Sequence, residues 1–182
     1  AGLGGNLCNA SPSGDGICAL IVHNTTCVIA GPNGKREVAS EDFCTGPGRS
    51  VIGNGEMLVE LKIPTPKKGF GAAYQRFTPR NEMDIAVVGA GVSVTLSNGT
   101  IESARVALSS VAPTPLYVEA AGAALAGKEP TDANIQAAAN AAKDAATPIT
   151  DMRGTVEYRK HLCEVLTRRA LHTAIERARE AN

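Results

Sequence analysis

The residues best suited to chemistry open the chain: Gly4-Gly5-Asn6-Leu7-Cys8-Asn9-Ala10-Ser11-Pro12-Ser13-Gly14-Asp15. Glycines lack the Cβ that would hold a ligand away from the backbone, and their N–H groups can point at phosphate oxygens. Pro12 fixes one dihedral, and Asp15 closes the run with an acceptor suited to hydroxyls. The pattern reads as a loop that cradles a nucleotide cofactor. A plainer reading also exists, in which Gly4-Gly5 is a tight turn and Asp15 caps a helix.

Other chemistries find little support. Cys8, Cys18, Cys27, Cys44 and Cys163 form no C-x-x-C pair, and their odd number argues against a secreted disulfide framework. Reduced thiols and a cytoplasmic location are expected. His23, His161 and His172 are too scattered to join those cysteines at zinc spacing, so no metal site is predicted. No Ser-His-Asp order, P-loop or carboxylate pair suggests hydrolysis. Val87-Val88-Gly89-Ala90-Gly91-Val92 imitates a dinucleotide-binding turn but runs on through Ser93-Val94-Thr95-Leu96, as a strand does and a strand-to-helix turn does not.

Lysine plus arginine and aspartate plus glutamate balance at 18 each in 182 residues, leaving no positive field to gather nucleic acid or anionic lipid. The basic residues near the end, Arg153, Arg159, Lys160, Arg168, Arg169, Arg177 and Arg179, alternate with Glu157, Glu164, Glu176 and Glu180. That pattern describes a solvated, salt-bridged helix face. No apolar run approaches the ~20 residues that a membrane span needs.

The elements that must position the opening run follow from periodicity and turn residues. A short helix through Cys18–Val22 precedes a strand at 25–30, the turn Gly31-Pro32-Asn33-Gly34 and a returning strand at 36–39. A glycine-rich connection at 43–50 leads to a strand at 57–63. Pro64-Thr65-Pro66-Lys67-Lys68-Gly69 then marks a domain boundary, giving units 1–66 and 67–182. Strand-like runs at 70–77, 85–96 and 100–111 predict a three-stranded antiparallel sheet. Helices follow at 116–126, with Thr114-Pro115 as its start, from the Thr131 cap to Ala146, and from Thr155 to the end. The fold class is α+β, with the sheet packed against a helical layer.

The opening run resembles the second FAD-binding loop in the FAD-binding (medium) subunit of the molybdenum hydroxylases, the xanthine dehydrogenase and aerobic carbon monoxide dehydrogenase family. Further blocks are similar to that family in the same order: Gly55–Pro64, Tyr74–Phe77 with Asp84-Ile85-Ala86, Ala104–Leu108, Val111–Pro115, and Tyr158-Arg159 with Leu162, Val165 and Leu166. The resemblance implies an electron-transfer flavoprotein. Its partners would be a molybdopterin-binding large subunit and an iron–sulfur small subunit, with FAD passing electrons to an outside acceptor.

By the same resemblance Gly4, Gly5 and Asn6 approach the FAD pyrophosphate or ribityl chain, Asp15 accepts from a cofactor hydroxyl, and Asn9, Ser11 and Ser13 are lesser donors. Leu58 packs on the flavin ring, and Arg76 stands where relatives carry a lysine that would stabilise negative charge on the reduced ring. Without the family, Leu58 reads as core and Arg76 as a surface ion pair. Relatives carry another glycine-rich FAD loop upstream, which no segment here matches, so a fragment with weak FAD binding is expected. The alternatives are a non-enzymatic module of residues 67–182 that binds partner subunits or forms a homodimer, and a small-molecule binder using a pocket of Tyr74, Arg76 and Tyr117.

Overall fold

The computed structural model describes residues 2–80 and 83–181. Two short helices, α1 (Leu3–Cys8) and α2 (Asp15–Val22), lead into strands β1 (Thr26–Gly31) and β2 (Gly34–Ala39). A 3₁₀ turn at Ser40–Asp42 precedes the small ribbon β3 (Cys44–Gly46) and β4 (Arg49–Ser50), then β5 (Met57–Lys62). β5 returns beside β1, giving an antiparallel sheet in the order β2-β1-β5.

The second sheet comprises β6 (Phe70–Phe77), β7 (Val88–Ser97), β8 (Thr100–Ser109) and β9 (Leu116–Tyr117), in that order and antiparallel throughout. Three helices follow: α3 (Glu119–Ala123), α4 (Asp132–Ala145) and α5 (Val156–Glu180). The architecture is α+β, with three corrections to the sequence reading. The sheet has a fourth strand, because Leu116 and Tyr117 pair with Leu108 and Ala107 instead of starting a helix. The helix expected at 116–126 shrinks to Glu119–Ala123. The opening glycine run begins as a helical turn rather than a loop, with Asn6 N–H donating to Gly2 O and Asn9 N–H to Gly5 O, both at 3.0 Å.

Register places alternate residues of the second sheet on two buried faces. Val88, Ala90, Val92, Val94 and Leu96 join α4 and α5 in the larger core, with Val106, Leu108, Leu166, Ala170 and Ala174. The small residues of this layer let helix and strand backbones come close. A Cβ on Gly71 would lie 2.0 Å from Ala174 O. The opposite face carries Tyr74 and Arg76 on β6, Gly89, Gly91 and Ser93 on β7, and Arg105, Ala107 and Ser109 on β8. α2 lies across it, and Cys18, Ile21 and Val22 belong to a second core with Leu7, Ile29 and Phe43.

The glycines of Val87-Val88-Gly89-Ala90-Gly91-Val92 thus serve packing within a strand. A Cβ on Gly91 would meet Cys18 Cβ at 3.1 Å, and one on Gly89 would meet Tyr74 Oη at 2.4 Å.

Candidate functional site

α2 has Gly14 as its N-cap, which makes Asp15 its first residue rather than the cap itself. Both oxygens of the Asp15 carboxylate are gripped from β6. Tyr74 Oη donates to Oδ1 at 2.6 Å and Arg76 Nη1 donates to Oδ2 at 2.5 Å. Tyr74 and Arg76 are two apart in a strand and therefore share a face. Gly89, directly opposite Arg76, leaves the room that the phenol occupies. Burial, followed by the neighbouring Cys18 thiol and Asp15 itself, pushes the Tyr74 hydroxyl well above its ordinary pKa. It stays protonated and remains a donor.

The opening run is fixed to the same elements. Asn6 Oδ1 accepts from Gly16 N–H at 3.1 Å, so this side chain joins α1 to the first turn of α2. Ala10 takes a left-handed φ of 48°, and its carbonyl accepts from Gly48 N–H at 3.0 Å. Asn9 is exposed at the end of α1, while the Ser11 and Ser13 hydroxyls lie 3.0 Å apart and half-buried. Leu58 reaches across from β5 toward Gly4, with Cδ2 3.8 Å from where a Gly4 Cβ would stand.

The structure therefore brings Asp15 to Arg76 and Gly4 to Leu58, and ties Asn6 to the start of α2. Tyr74 and Tyr117 border different cavities, Tyr74 beside Ala19 and Arg177 and Tyr117 beside Phe70 and Arg105, whose Cζ stands 4.0 Å from the Tyr117 ring centroid. The sequence reading also missed the grip of Tyr74 on Asp15, although alternation along 70–77 already aligned Tyr74 with Arg76.

Pro12 and Ser13 border a cavity of about 360 Å³ whose other walls include Ile85, Pro113, Ile149 and Arg159. Arg159, on α5, is buried, and its Nη1 donates to Val87 O at 2.7 Å and to Ser110 O at 3.0 Å. Its Nη2 donates to Asp151 Oδ1 at 2.7 Å, while Nε has no partner. Of the opening run, Pro12 and Ser13 line this cavity, and Gly4, Gly5 and Asn6 do not. Large apolar residues stand exposed on the segments around this cavity, Met83 at 97%, Met152 at 94% and Ile149 at 72%.

The glycines test whether these residues fit a dinucleotide. Gly4 and Gly5 lie in a helix, where each costs ~1 kcal/mol relative to alanine. Neither has a positive φ, no atom lies within 4 Å of a Cβ placed on Gly5, and the Gly4 position shows only ordinary contact with Leu58. Nothing inside the fold demands glycine at either position. The first-turn N–H groups of α1 have no carbonyl to bond within the helix, which is donor chemistry suited to phosphate. The residues fit.

All five cysteines are free thiols. Among the described residues no group of three or more His, Cys, Asp or Glu gathers as metal ligands, and no helix is long and apolar enough to cross a membrane.

Comparison with known proteins agrees with this geometry. Residues 1–66 match the family described as FAD binding domain in molybdopterin dehydrogenase, and residues 72–174 the CO dehydrogenase flavoprotein C-terminal domain. The chain is 34% identical to the carbon monoxide dehydrogenase medium chain of Afipia carboxidovorans, over 97% of this chain and 61% of that protein. It is 28% identical to the xanthine dehydrogenase FAD-binding subunit of Escherichia coli O157:H7, over 96% of this chain and 60% of that one. Among solved structures, carbon monoxide dehydrogenase from Hydrogenophaga pseudoflava superposes with a TM-score of 0.93 at 35% identity, covering 97% of this chain and 61% of that one. The chain thus spans about three-fifths of the length of these relatives. It belongs to the CO dehydrogenase flavoprotein family, the FAD-binding medium subunits of the molybdenum hydroxylases, whose cofactor in the complete subunit is FAD.

Proposed function

We propose that this chain supplies the flavin-facing part of an electron-transfer subunit. Electrons from the iron–sulfur clusters of a small subunit would leave through FAD to an external acceptor, while a molybdopterin-binding large subunit oxidises the substrate. The redox chemistry is that of FAD, so the protein needs to bind, orient and tune but requires no acid or base of its own. Residues 1–66 would form one lobe of the FAD-binding domain and residues 67–182 the C-terminal domain, in a cytoplasmic complex.

Each residue has a role in this reading. The backbone of Gly4, Gly5 and Asn6 approaches the pyrophosphate or ribityl chain, with the amides of Gly4 and Gly5 as donors because Asn6 N–H is already given to Gly2 O, and Asn9, Ser11 and Ser13 are lesser donors. Asp15, held by Tyr74 and Arg76, offers its remaining lone pairs to a cofactor hydroxyl. Leu58 packs against the flavin ring, and Arg76 sets its charge near that ring. The observation that carries the reading is the pair of helical glycines for which the fold itself has no use.

Because the resemblance places another glycine-rich FAD loop outside these 182 residues, the isolated stretch would hold FAD weakly. Flavin fluorescence titration of the wild type and of Gly5→Leu tests this. The substitution meets open space, so the fold should survive while FAD affinity drops at least about tenfold. Equal affinity in both proteins removes the amide contact from the proposal. Tight, stoichiometric FAD on the wild-type stretch removes the weak-binding expectation.

The exposed Met83, Ile149 and Met152 favour a second reading, a module that docks partner subunits or a second copy through this apolar rim. The two readings are compatible, and the second stands alone if no flavin binds at any concentration.

A further inference from the structure

The face of the second sheet that carries Tyr74 and Arg76 at one end is left partly uncovered at the other. α2 is 8 residues long and covers roughly 12 Å at 1.5 Å per residue. β7 and β8 have 10 residues each and extend about 33 Å. Beyond the end of α2 at His23, the roof over the strands is the Pro64–Lys67 segment, and beneath it lies a cavity of about 390 Å³. It stands at the opposite end of α2 from Asp15 and touches none of the residues assigned to FAD.

We propose that this second cavity binds a small aromatic carboxylate, independently of the flavin reading. One aromatic wall suits a ring: Phe70 stands with His23 at 5.3 Å between ring centroids, while the Arg105 guanidinium covers Tyr117. The volume falls within the range of small-ligand pockets, roughly 300–1,000 Å³.

The floor and rim suit an anion. Thr95 lines the floor and is buried, with only 9% of its surface exposed. Arg105 commits Nε to Ile21 O at 2.9 Å and Nη2 to Glu41 Oε1 at 2.6 Å, and among the described residues Nη1 is left to donate. Lys67 is exposed on the roof. Glu102 is the only carboxylate in the lining, so donors outnumber it. A carboxylate held by Lys67, Arg105 Nη1 and Thr95 Oγ1 would leave its ring to pack on Phe70, whose strand position lies directly opposite Thr95.

The test is amide and side-chain NMR on the isotopically labelled 182-residue chain titrated with benzoate, benzyl alcohol and acetate. Benzoate should produce saturable shifts at Thr95 and Phe70. Benzyl alcohol and acetate should bind at least about tenfold more weakly, the effect of losing one charge-assisted contact or the ring. Lys67→Gln lies on an exposed segment and should fold normally while weakening benzoate severalfold, and Phe70→Leu should weaken it further. Should Phe70→Leu fail to fold, Lys67→Gln decides alone. The proposal is overturned by an absence of saturable shifts at Thr95, by equal affinity for benzyl alcohol, or by benzoate affinity unchanged in Lys67→Gln.

Discussion

Among single residues, Asp15 is where the chain's two halves meet. Its carboxylate accepts from Tyr74 and Arg76, which are 59 and 61 positions away in sequence. Both Asp15 and Arg76 are half exposed, so their ion pair is screened and adds little on its own. The phenol is different, because it is half-buried and donates to a charged acceptor, the kind of hydrogen bond worth about 2 kcal/mol. Tyr74→Phe should therefore lower unfolding free energy by about that amount in urea titration. A change below ~0.5 kcal/mol would mean that the phenol's partner is water instead. The opening run singled out Asp15 and the family resemblance singled out Arg76. Their pairing was hidden, since no local pattern reports a contact across 61 positions.

At the scale of elements, caps and periodicity were legible, and edges were not. Thr131 and Thr155 cap α4 and α5 through Asn134 N–H and Tyr158 N–H, as their positions before periodic runs predict. Leu116 followed a plausible helix start, yet the open edge of β8 offered backbone partners, and Val118 N–H donates to Val106 O at 2.8 Å as the chain passes. Local propensity lost to a tertiary hydrogen-bond ladder. The opening run was misread for a related reason: glycine disfavours helix, but the tie between Asn6 and Gly16 holds the turn in place.

Arg159 illustrates how one element is locked to others, since α5 reaches through it to the start of β7, the end of β8 and the bend at Asp151. The Arg159 hydrogen bond, then that from Arg153 N–H, holds the Asp151 carboxyl below the usual carboxylate range. A depressed folded-state pKa contributes stability above the unfolded value, about 3.9, which is lost as pH falls through the lower folded value. Asp151→Ala should thus destabilise the protein at neutral pH by about 3 kcal/mol, the cost of stranding a buried charge. The difference from wild type should shrink in acid, where Asp151 is protonated in both states. A gap that stays constant down to pH 2 would show that the loss is one of packing rather than charge.

For the molecule as a whole, the proline-rich stretch at 64–69 suggests two independent units, and the two family matches meet close to it. The packing argues for a single cooperative body. α2 comes from the first segment, yet it covers the glycine-lined face of a sheet that belongs to the second. Ser93 Oγ donates to Val22 O at 2.7 Å, and Arg105 joins Ile21 and Glu41 while stacking on Tyr117. Removing residues 1–66 would bare Gly89, Gly91 and Ser93 to water, together with Arg105 stripped of its partners.

A linker composition identifies where a chain can bend but carries no information on what folds back over it, which is why this coupling was not legible. Unfolding of the whole chain should accordingly be two-state, with Tyr74 in one segment's sheet and α2 in the other losing structure together. Hydrogen exchange of β7 and α2 amides under mild denaturant measures it. Matching opening free energies, within about 0.5 kcal/mol, are expected for both, whereas α2 amides opening well below the global value would mean that the helix is a detachable lid and that the two segments are separate domains after all.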